Sequence, residues 1–425
     1  MDKVVLMKTP AWTEAMDKTS VGERITFALL AASAAALLMF ALVAHLKDSS
    51  SSSDFMGFYT AGTLLKQGLG SQLYDESAQM ACQRRLFGRM VPVDVYDHPP
   101  FETLIYWPLA YLPYRAAYLL WDLLSLIMLG WSLYLLKPYV GNFDTESRLT
   151  LTLAVLYPLI STLREGQNEI LLLLTCVGAF ICLKKGREYA AGWALGAGLF
   201  RFQFILPLLL VFLALKRWRI ILGSAVAGVL LGLLSLALLG GAGIRNYLEL
   251  LLRLAKRDAF PTLVPAMPNL RGFIDVLLAG RLAPLHLTIL VAVGSLTLLA
   301  WPIVKWRRWG WNPGAKVFDL SFSLSMVVSV MISYHSLIHS LLVLILPALL
   351  LLDQAARVQQ GGLGRWRAIL PLLALFVMAV YLNAAGNNEL SFLFAPVLWF
   401  AFAIAAQIPD NEPGRSRILT TDAVQ

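Results

Sequence analysis

Residues 184–219 read KKGREYAAGWALGAGLFRFQFILPLLLVFLALKRWR, a long apolar stretch with a basic cluster at each end. A helix needs roughly 20 apolar residues to cross the hydrocarbon core of a bilayer. Short loops on the cytoplasmic side of a membrane are enriched in lysine and arginine, so both ends of this stretch belong on the same side. We therefore expect two short helices here, which meet near Arg201 and return to the side on which they began.

Further apolar runs follow one another along the rest of the chain. Together with the two halves of the quoted stretch they predict about twelve membrane-spanning helices, and therefore an all-α polytopic membrane protein. The composition agrees, because 58% of the residues are hydrophobic, 14% are charged and the mean hydropathy is +0.68. The runs lie at 25–46, 114–136, 149–163, 169–183, 220–240, 284–304, 317–334, 337–352, 368–385 and 390–407.

The positions of the positive charges predict the orientation. A net charge of +9 would suggest a nucleic-acid partner in a soluble protein. With the N-terminus inside, however, 21 of the 35 lysines and arginines fall in inside segments, and twelve of the other 14 fall in two long outside stretches, 47–115 and 241–283. We therefore expect membrane lipid, and no nucleic acid, as a partner.

This orientation divides the chain into three parts. Residues 1–24 form a cytoplasmic N-terminal segment, residues 25–407 a single transmembrane domain, and residues 408–425 a cytoplasmic tail. The long loops at 47–113 and 241–283 are extracytoplasmic. Nearly all the polar residues that could carry chemistry then lie on the outer side.

The first long loop contains a candidate catalytic carboxylate. Its sequence predicts a helix over residues 55–66, with Asp54 at the N-cap and Gly68 at the end. Asp54 could serve only to cap this helix, or it could accept a proton from a sugar hydroxyl. Further along the loop, residues 104–113 are rich in aromatic residues and proline, which favours a helix lying in the membrane interface.

Several cations and histidines are placed near the outer ends of predicted spans. An unpaired guanidinium at membrane depth is costly, so Arg164 and Arg201 each need an anionic partner. Glu165 or Glu169 could serve Arg164, whereas Arg201 has no acidic neighbour in sequence and is the stronger candidate for a ligand phosphate. The spacing of His335 and His339 predicts a shared helix face. Because no glutamate motif accompanies them, we expect no metal site.

Other motifs exclude some classes of function and predict one helix contact. The chain has no Walker A motif, no Rossmann glycine fingerprint and no HExxH motif, so cytosolic nucleotide or zinc enzymology has no support. Gly192 and Gly196 are four residues apart, a spacing that favours close packing of two helices in a membrane.

The order of several motifs resembles glycosyltransferase family 87, whose members are polytopic GT-C enzymes similar to polyprenol-phosphate-mannose-dependent mannosyltransferases. The resemblance covers residues from about 50 to 220 and extends loosely to residues 334–347. It rests on Asp54-Phe55 through Tyr59, Ala61 and Gly62, Gly68 to Tyr74-Asp75, Pro99-Pro100, Pro108-Leu109, Leu112-Pro113, Gly166-Gln167-Asn168, and Ala191-Gly192 through Gly196 to Arg201 and Pro207.

This resemblance implies a GT-C-like fold and a set of site residues. The acidic residue of the first outer loop, thought to be the family's catalytic base, corresponds to Asp54. The family usually has lysine where this chain has Arg201, and its members often have aspartate near Ser340. The expected donor-phosphate residues are Arg201, Arg164, Arg271, His335 and His339, and the expected cavity-lining residues are Tyr59, His98, Gln167 and Asn168.

The implied reaction is an inverting transfer of a sugar, with mannose expected, from a polyprenyl-phosphate donor to a glycolipid or polysaccharide acceptor. It needs no divalent metal and no cofactor other than the lipid-linked co-substrate. The expected location is a bacterial cytoplasmic membrane, with the active site facing the periplasm or the cell exterior. Two alternatives stay open. One is a transporter or flippase of a lipid-linked sugar, although the loop at 241–283 does not repeat the motifs of the first loop; the other is a non-catalytic lipid-binding scaffold.

Overall fold

The architecture is taken from a computed structural model. It describes residues 53–88, 95–141, 143, 145–256, 263–278, 280–357, 363–384 and 389–409. The predicted N-terminal segment, the first apolar run at 25–46 and most of the predicted tail lie outside the described residues. The described part of the chain is helical and contains no β-strand, as the sequence predicts.

The described helices are numbered in chain order. They are α1 (Phe55–Lys66), α2 (Glu76–Phe87), α3 (Thr103–Tyr106), α4 (Tyr114–Leu136), α5 (Thr145–Glu165), α6 (Glu169–Lys184), α7 (Glu188–Ala197), α8 (Phe202–Ala214), α9 (Trp218–Leu254), α10 (Leu270–Leu278), α11 (Pro284–Trp309), α12 (Lys316–Ile332), α13 (Ile345–Arg357), α14 (Leu363–Ala384) and α15 (Phe394–Ala406). Short 3₁₀ segments include Gly198–Arg201, between α7 and α8, and Ile338–Leu344, which leads into α13.

The helix bounds follow the apolar runs of the sequence closely. The run at 114–136 coincides with α4, and the run at 169–183 with α6. By length and composition, six stretches of the described chain could cross a membrane, so the predicted number of twelve is not confirmed. The long helix α9 continues through a kink at Gly240, where φ is 65°, so the first part of the predicted loop at 241–283 is helical.

The stretch from 188 to 214 reverses direction, as its basic ends predict. Although it is long enough to cross a membrane as one span, its two ends lie at the same level. Glu188, at the start of α7, lies 3.4 Å from Arg217, which follows α8. The turn of the hairpin is the 3₁₀ segment that ends at Arg201. With 10 and 13 residues, α7 and α8 reach only about 15 and 20 Å, less than the roughly 30 Å of the hydrocarbon core.

The predicted glycine contact packs α7 against α9. A Cβ atom at Gly192 would overlap the carbonyl oxygen of Ile220, and one at Gly223 would overlap that of Tyr189. The hydroxyl of Ser224 donates to the carbonyl oxygen of Gly192 at 2.8 Å. Because neither glycine has a side chain, the two backbones approach closely and the hydrogen bond crosses between them.

The first-loop helix α1 lies in a layer of aromatic rings. Phe55 stacks on Tyr118 of α4 with ring centroids 4.4 Å apart, and Phe58 stacks on Tyr106 at 4.5 Å. A Cβ atom at Gly62 would lie 2.6 Å from the carbonyl oxygen of Tyr106. This packing holds the start of α1, and with it Asp54, against the first turns of α4.

Ion pairs join the C-terminal ends of α6 and α13 to the N-terminal end of α12. Lys184 lies 2.6 Å from Asp319, and Lys316 bridges Asp319 at 3.4 Å and Asp353 at 2.8 Å. Arg357 also contacts Asp353 at 2.9 Å. Since these carboxylates and cations neutralise one another, this end of the bundle is closed by charge pairs.

We predict that Gly192→Ala destabilises the protein by about 1–3 kcal/mol, because the added methyl group overpacks the contact with α9. The apparent melting temperature in detergent micelles measures the effect. Gly130→Ala in α4 is the matched control, since a Cβ atom there meets nothing within 4 Å. It should leave stability unchanged or raise it by up to about 1 kcal/mol. Equal effects of the two substitutions would contradict the proposed contact.

Candidate active site

The candidate site lies where the ends of several helices converge. Asp54 precedes α1, the turn at 166–168 joins α5 to α6, and Arg201 lies at the tip of the α7–α8 hairpin. The side-chain amide of Gln167 donates to Oδ2 of Asp54, and its carbonyl oxygen accepts from Nη2 of Arg201. One glutamine therefore links the carboxylate of the first loop to the guanidinium of the hairpin.

The Asp54 carboxylate is not used for capping. Asp54 occupies the N-cap position of α1, but its side chain makes no capping hydrogen bond. The first-loop helix itself is confirmed, with Gly68 beyond its end at a φ of 73°. Because the carboxylate is held by Gln167 instead, it is directed into the site.

The turn that presents Gln167 and Asn168 depends on Gly166. Its φ is 64°, a left-handed conformation that favours glycine, and a Cβ atom there would lie 2.6 Å from Cβ of Phe55. The indole N–H of Trp121 donates to the carbonyl oxygen of Gly166 at 2.9 Å. The turn is thus fixed against both α1 and α4.

Arg201 is buried and has a protein carboxylate as its partner. Its side chain is 7% exposed, and Nη2 lies 2.9 Å from Oε1 of Glu169. Nε donates to Oδ1 of Asn168 at 2.7 Å. The sequence analysis predicted an anionic partner for Arg201 and favoured a ligand phosphate, because no acidic residue is its neighbour in sequence. In the structure Glu169 takes this place, since it is distant in sequence but begins the helix that the hairpin tip contacts. Nη1 takes part in none of these bonds.

A third carboxylate, Glu102, joins this network from the first loop. It is fully buried, and Oε1 accepts a hydrogen bond from the side-chain amide of Asn168. Nδ1 of His98 lies 3.0 Å from Oε2. Burial alone would lower the pKa of His98, but the Glu102 carboxylate outweighs it and, with Asp97, raises that pKa above its ordinary value. His98 is thereby favoured in its charged form beside Glu102.

The two histidines of the later segment reach the site without sharing a helix face. His335 lies in the irregular segment after α12, and His339 lies in the 3₁₀ segment, so the prediction of a shared face is wrong. A 3₁₀ segment has three residues per turn rather than 3.6, and the four-residue spacing does not carry over. Nδ1 of His339 lies 2.9 Å from Oε1 of Glu169.

The electrostatic surroundings keep His335 neutral. Burial lowers its pKa, and nearby cationic groups, among them Arg201 and Arg271, lower it further, to about 3. At neutral pH His335 can therefore donate one N–H to an anion but does not carry a fixed positive charge.

A small cavity lies beside the buried ion pair. Its volume is about 20 Å³, which accommodates about one water molecule. Glu169, Arg201, His335, Ser336 and Ser340 contribute to its walls. A sugar phosphate is far larger, so binding one here requires the surrounding elements to separate.

The other predicted site residues lie at different distances from this network. Arg271 is 3% exposed, stacks 4.2 Å over the ring of Tyr334 and has Asp275 at 4.0 Å, so it adjoins the histidine segment. Arg164 has a side chain that is 71% exposed and lies 3.7 Å from Glu165, one of its two predicted partners.

Tyr59 is used in packing. Its hydroxyl donates to the carbonyl oxygen of Leu112 at 2.8 Å, which ties α1 to the aromatic and proline-rich segment of the first loop. In that segment Trp107 is 39% and Tyr111 62% exposed, as suits aromatic rings at a membrane interface.

Two carboxylates of this network were missed or misassigned by the sequence analysis. Glu102 was not selected at all, and Glu169 was considered only as a partner of Arg164. A signal was present in both cases, because a carboxylate beside an apolar run must find a buried partner. For Glu102 the signal was its position four residues after His98, and for Glu169 its position at the start of an apolar run.

The groups that the site offers for chemistry are carboxylates and cations. In the described part of the chain, no group of three or more His, Cys, Asp or Glu side chains is arranged to hold a metal ion. The arrangement can place a carboxylate base at Asp54 within one hydrogen-bonded network with a guanidinium at Arg201. A carboxylate that can accept a proton, linked to a guanidinium that can bind a phosphate, is suited to a displacement reaction in which an anion leaves.

Comparison with known proteins gives one match. The sequence model of glycosyltransferase family 87 matches residues 96–333. This range contains His98, Glu102, the turn at 166–169, Arg201 and Arg271, whereas Asp54, His335 and His339 lie outside it. Among curated proteins and among solved structures, no match to the chain was found.

We predict that Glu169→Gln lowers the free energy of unfolding by about 3–5 kcal/mol, because it leaves the buried Arg201 without a compensating charge. Glu165→Gln is the matched control: its side chain is 28% exposed and faces an exposed arginine, so the cost should stay below about 1 kcal/mol. Equilibrium unfolding in detergent measures both. A cost for Glu169→Gln as small as that of the control would contradict the pairing.

We also predict a pH dependence that originates at His335. Because its pKa is lowered in the folded state, the unfolded state binds a proton near pH 6.5 while the folded state does not. As the pH is lowered from about 6.5 to about 3, the free energy of unfolding should therefore fall by up to about 1.4 kcal/mol for each pH unit. His335→Gln should flatten the fall of the melting temperature between pH 6.5 and pH 5.

The matched control is His286→Gln, which removes an exposed histidine of α11. It should leave the slope of the melting temperature against pH as in the wild type. If the two variants showed the same slope, His335 would not be the origin of the dependence.

Proposed function

The chain belongs to glycosyltransferase family 87, and on that premise we propose that it transfers a sugar from a polyprenyl-phosphate donor to a lipid or glycan acceptor. The observation that carries the proposal is the bonded sequence Asp54, Gln167, Arg201. The amide of Gln167 bonds on one side to the carboxylate of Asp54, which makes no capping bond, and on the other to the buried guanidinium of Arg201. A glycosyl transfer needs both: a base for the acceptor and a cation for the departing phosphate.

The proposed reaction is a single displacement at the anomeric carbon. The acceptor hydroxyl gives its proton to the carboxylate of Asp54 as its oxygen forms a bond to the anomeric carbon. The bond between that carbon and the phosphate oxygen breaks, and the electron pair leaves with the polyprenyl phosphate. Attack from the face opposite the leaving group inverts the configuration of the sugar, and mannose is the sugar that we propose.

The cations of the site would receive the departing phosphate. Nη1 of Arg201 faces no protein acceptor among the bonds described above, and it is the first candidate to contact a phosphate oxygen. Arg271, stacked beside the histidine segment, is the second. A neutral His335 would add a hydrogen bond rather than a charge. Because these groups supply positive charge, the proposed reaction requires no divalent metal.

A lipid-linked donor agrees with the position of the site. The network lies at one end of the bundle, while the opposite end is closed by the Lys184–Asp319–Lys316–Asp353 ion pairs. The positive-inside distribution of lysine and arginine supports an extracytoplasmic site and a cytoplasmic position for the closed end. Nucleotide sugars are not expected outside the cytoplasm, whereas a polyprenyl chain enters from the membrane. We propose a bacterial cytoplasmic membrane as the location, and a glycolipid or polysaccharide as the acceptor.

We predict that Asp54→Asn lowers sugar transfer by about 10²- to 10⁴-fold while donor binding survives, because the amide cannot accept the acceptor's proton. The assay measures transfer of radiolabelled sugar from a short-chain polyprenyl-phosphate donor to a panel of lipid acceptors by purified full-length protein, first without and then with EDTA. Loss of all transfer on adding EDTA would contradict the metal-independent mechanism.

Asp75→Asn is the matched control. Asp75 lies in the same loop, and its Oδ1 caps α2 by accepting from the backbone N–H of Ser77 at 2.8 Å. Asparagine caps a helix about as well, so this variant should retain wild-type transfer. If donor bound but neither wild type nor variant transferred sugar to any acceptor, the proposed enzymatic function would be contradicted, and flipping of the donor in vesicles would be measured next.

A further inference from the structure

A basic and aromatic pocket lies at the far end of the α7–α8 hairpin from the candidate active site. It opens between the turn that follows α8 and the end of α11, and its volume is about 340 Å³. Three cations, Lys216, Arg217 and Arg307, contribute to its walls together with Trp306 and Trp311. The 13 residues of α8 separate it from Arg201 by about 20 Å, so it is not part of the network around Asp54.

The charges in this pocket are only partly neutralised. Among the residues that the structure describes, no acidic side chain lines it. Arg217 lies 3.4 Å from Glu188 and stacks 4.0 Å over the ring of Trp311. Nη2 of Arg307 donates to the backbone carbonyl oxygen of Ala214 at 3.0 Å, which orients the guanidinium but leaves its charge in place. The pocket therefore presents a net positive charge to a ligand.

The backbone at Lys216 is held in a costly conformation. Its φ is 56°, and it is the only residue other than glycine with a positive φ in the described part of the chain. The left-handed region costs a residue with a side chain roughly 1–2 kcal/mol, and glycine or asparagine would adopt it more readily. A lysine nevertheless occupies this position, and it lines the pocket beside Arg217 and Arg307.

The surroundings of the pocket match a membrane lipid. Leu213 on α8 is 39% exposed, Val304 on α11 is 44% exposed and Trp218 is 56% exposed. Apolar side chains thus flank the pocket on the lipid-facing surface, and tryptophan is typical of the membrane interface, where lipid phosphates lie.

We propose that this pocket binds the phosphate of an anionic glycerophospholipid, with the acyl chains along the exposed faces of α8 and α11. The cations contact the phosphodiester, and the indole ring of Trp311 contacts the glycerol region. A zwitterionic lipid is disfavoured because the described residues that line the pocket include three cations and no carboxylate that could pair with its ammonium group. Basic pockets between transmembrane helices are suited to anionic headgroups in this way. The proposal stands independently of the reaction at Asp54.

The test is native mass spectrometry of the full-length protein in detergent, with phosphatidylglycerol and phosphatidylcholine of identical acyl chains at equal concentration. The wild type should retain phosphatidylglycerol preferentially. The double variant Lys216→Asn, Arg307→Gln should lower phosphatidylglycerol affinity by roughly 5- to 25-fold, since each cation near a lipid phosphate is worth about 1 kcal/mol. Asparagine tolerates the left-handed backbone at position 216, which preserves the turn.

The matched control removes two cations from a neighbouring turn on the same side. Lys185→Gln, Arg187→Gln changes exposed residues outside the pocket and should leave phosphatidylglycerol affinity within about two-fold of the wild type. Equal losses in the two double variants, or no lipid preference in the wild type, would overturn the proposal. Displacement of phosphatidylglycerol by an equal concentration of inorganic phosphate would also overturn it, because the pocket would then be a site for free phosphate.

Discussion

The buried ion pair between Arg201 and Glu169 is the constraint on which the site depends. The two side chains are 7% and 1% exposed and lie 2.9 Å apart. A charge removed from water is tolerated only beside an opposite charge or several hydrogen-bond partners. The tip of the α7–α8 hairpin must therefore meet the first turn of α6. This requirement fixes the depth of the hairpin and brings the turn at 166–168 to the guanidinium.

Gln167 and Asn168 then extend the pair to two further carboxylates. Each side chain faces Arg201 with its carbonyl oxygen and a carboxylate with its amide group, Asp54 for Gln167 and Glu102 for Asn168. The amide orientations are set by these partners, since a guanidinium only donates and a carboxylate only accepts. The family match shows a glycosyltransferase, and this network holds in one set of bonds the two groups that we propose as its base and its phosphate-binding cation.

The sequence predicted the helices better than the contacts between them. Hydropathy is a local property, so the apolar runs at 114–136 and 169–183 gave helix bounds that agree with α4 and α6 to within a residue. The return of the hairpin was predicted from its basic ends, because charge position reports the membrane side. The first-loop helix was also predicted, from its cap residue and its terminal glycine.

Contacts between distant segments could not be predicted in this way. The partner of Arg201 comes from the start of another helix, so no sequence neighbour indicates it. The geometry of His335 and His339 failed for a different reason, since an irregular segment and a 3₁₀ turn replace the expected helix. Asp54 occupies the N-cap position, but its carboxylate accepts from Gln167 and does not cap the helix. Gln167 is distant in sequence, so the cap position alone could not predict this bond.

The most direct test of this account is a double-mutant cycle on kcat/KM for transfer from a short-chain polyprenyl-phosphate sugar. If Gln167 acts by holding Asp54, Gln167→Met should cost about tenfold in the wild type, the equivalent of one hydrogen bond to a charged group, but less than about twofold in the Asp54→Asn background. The same loss in both backgrounds would show that Gln167 and Asp54 act independently, and would contradict the account.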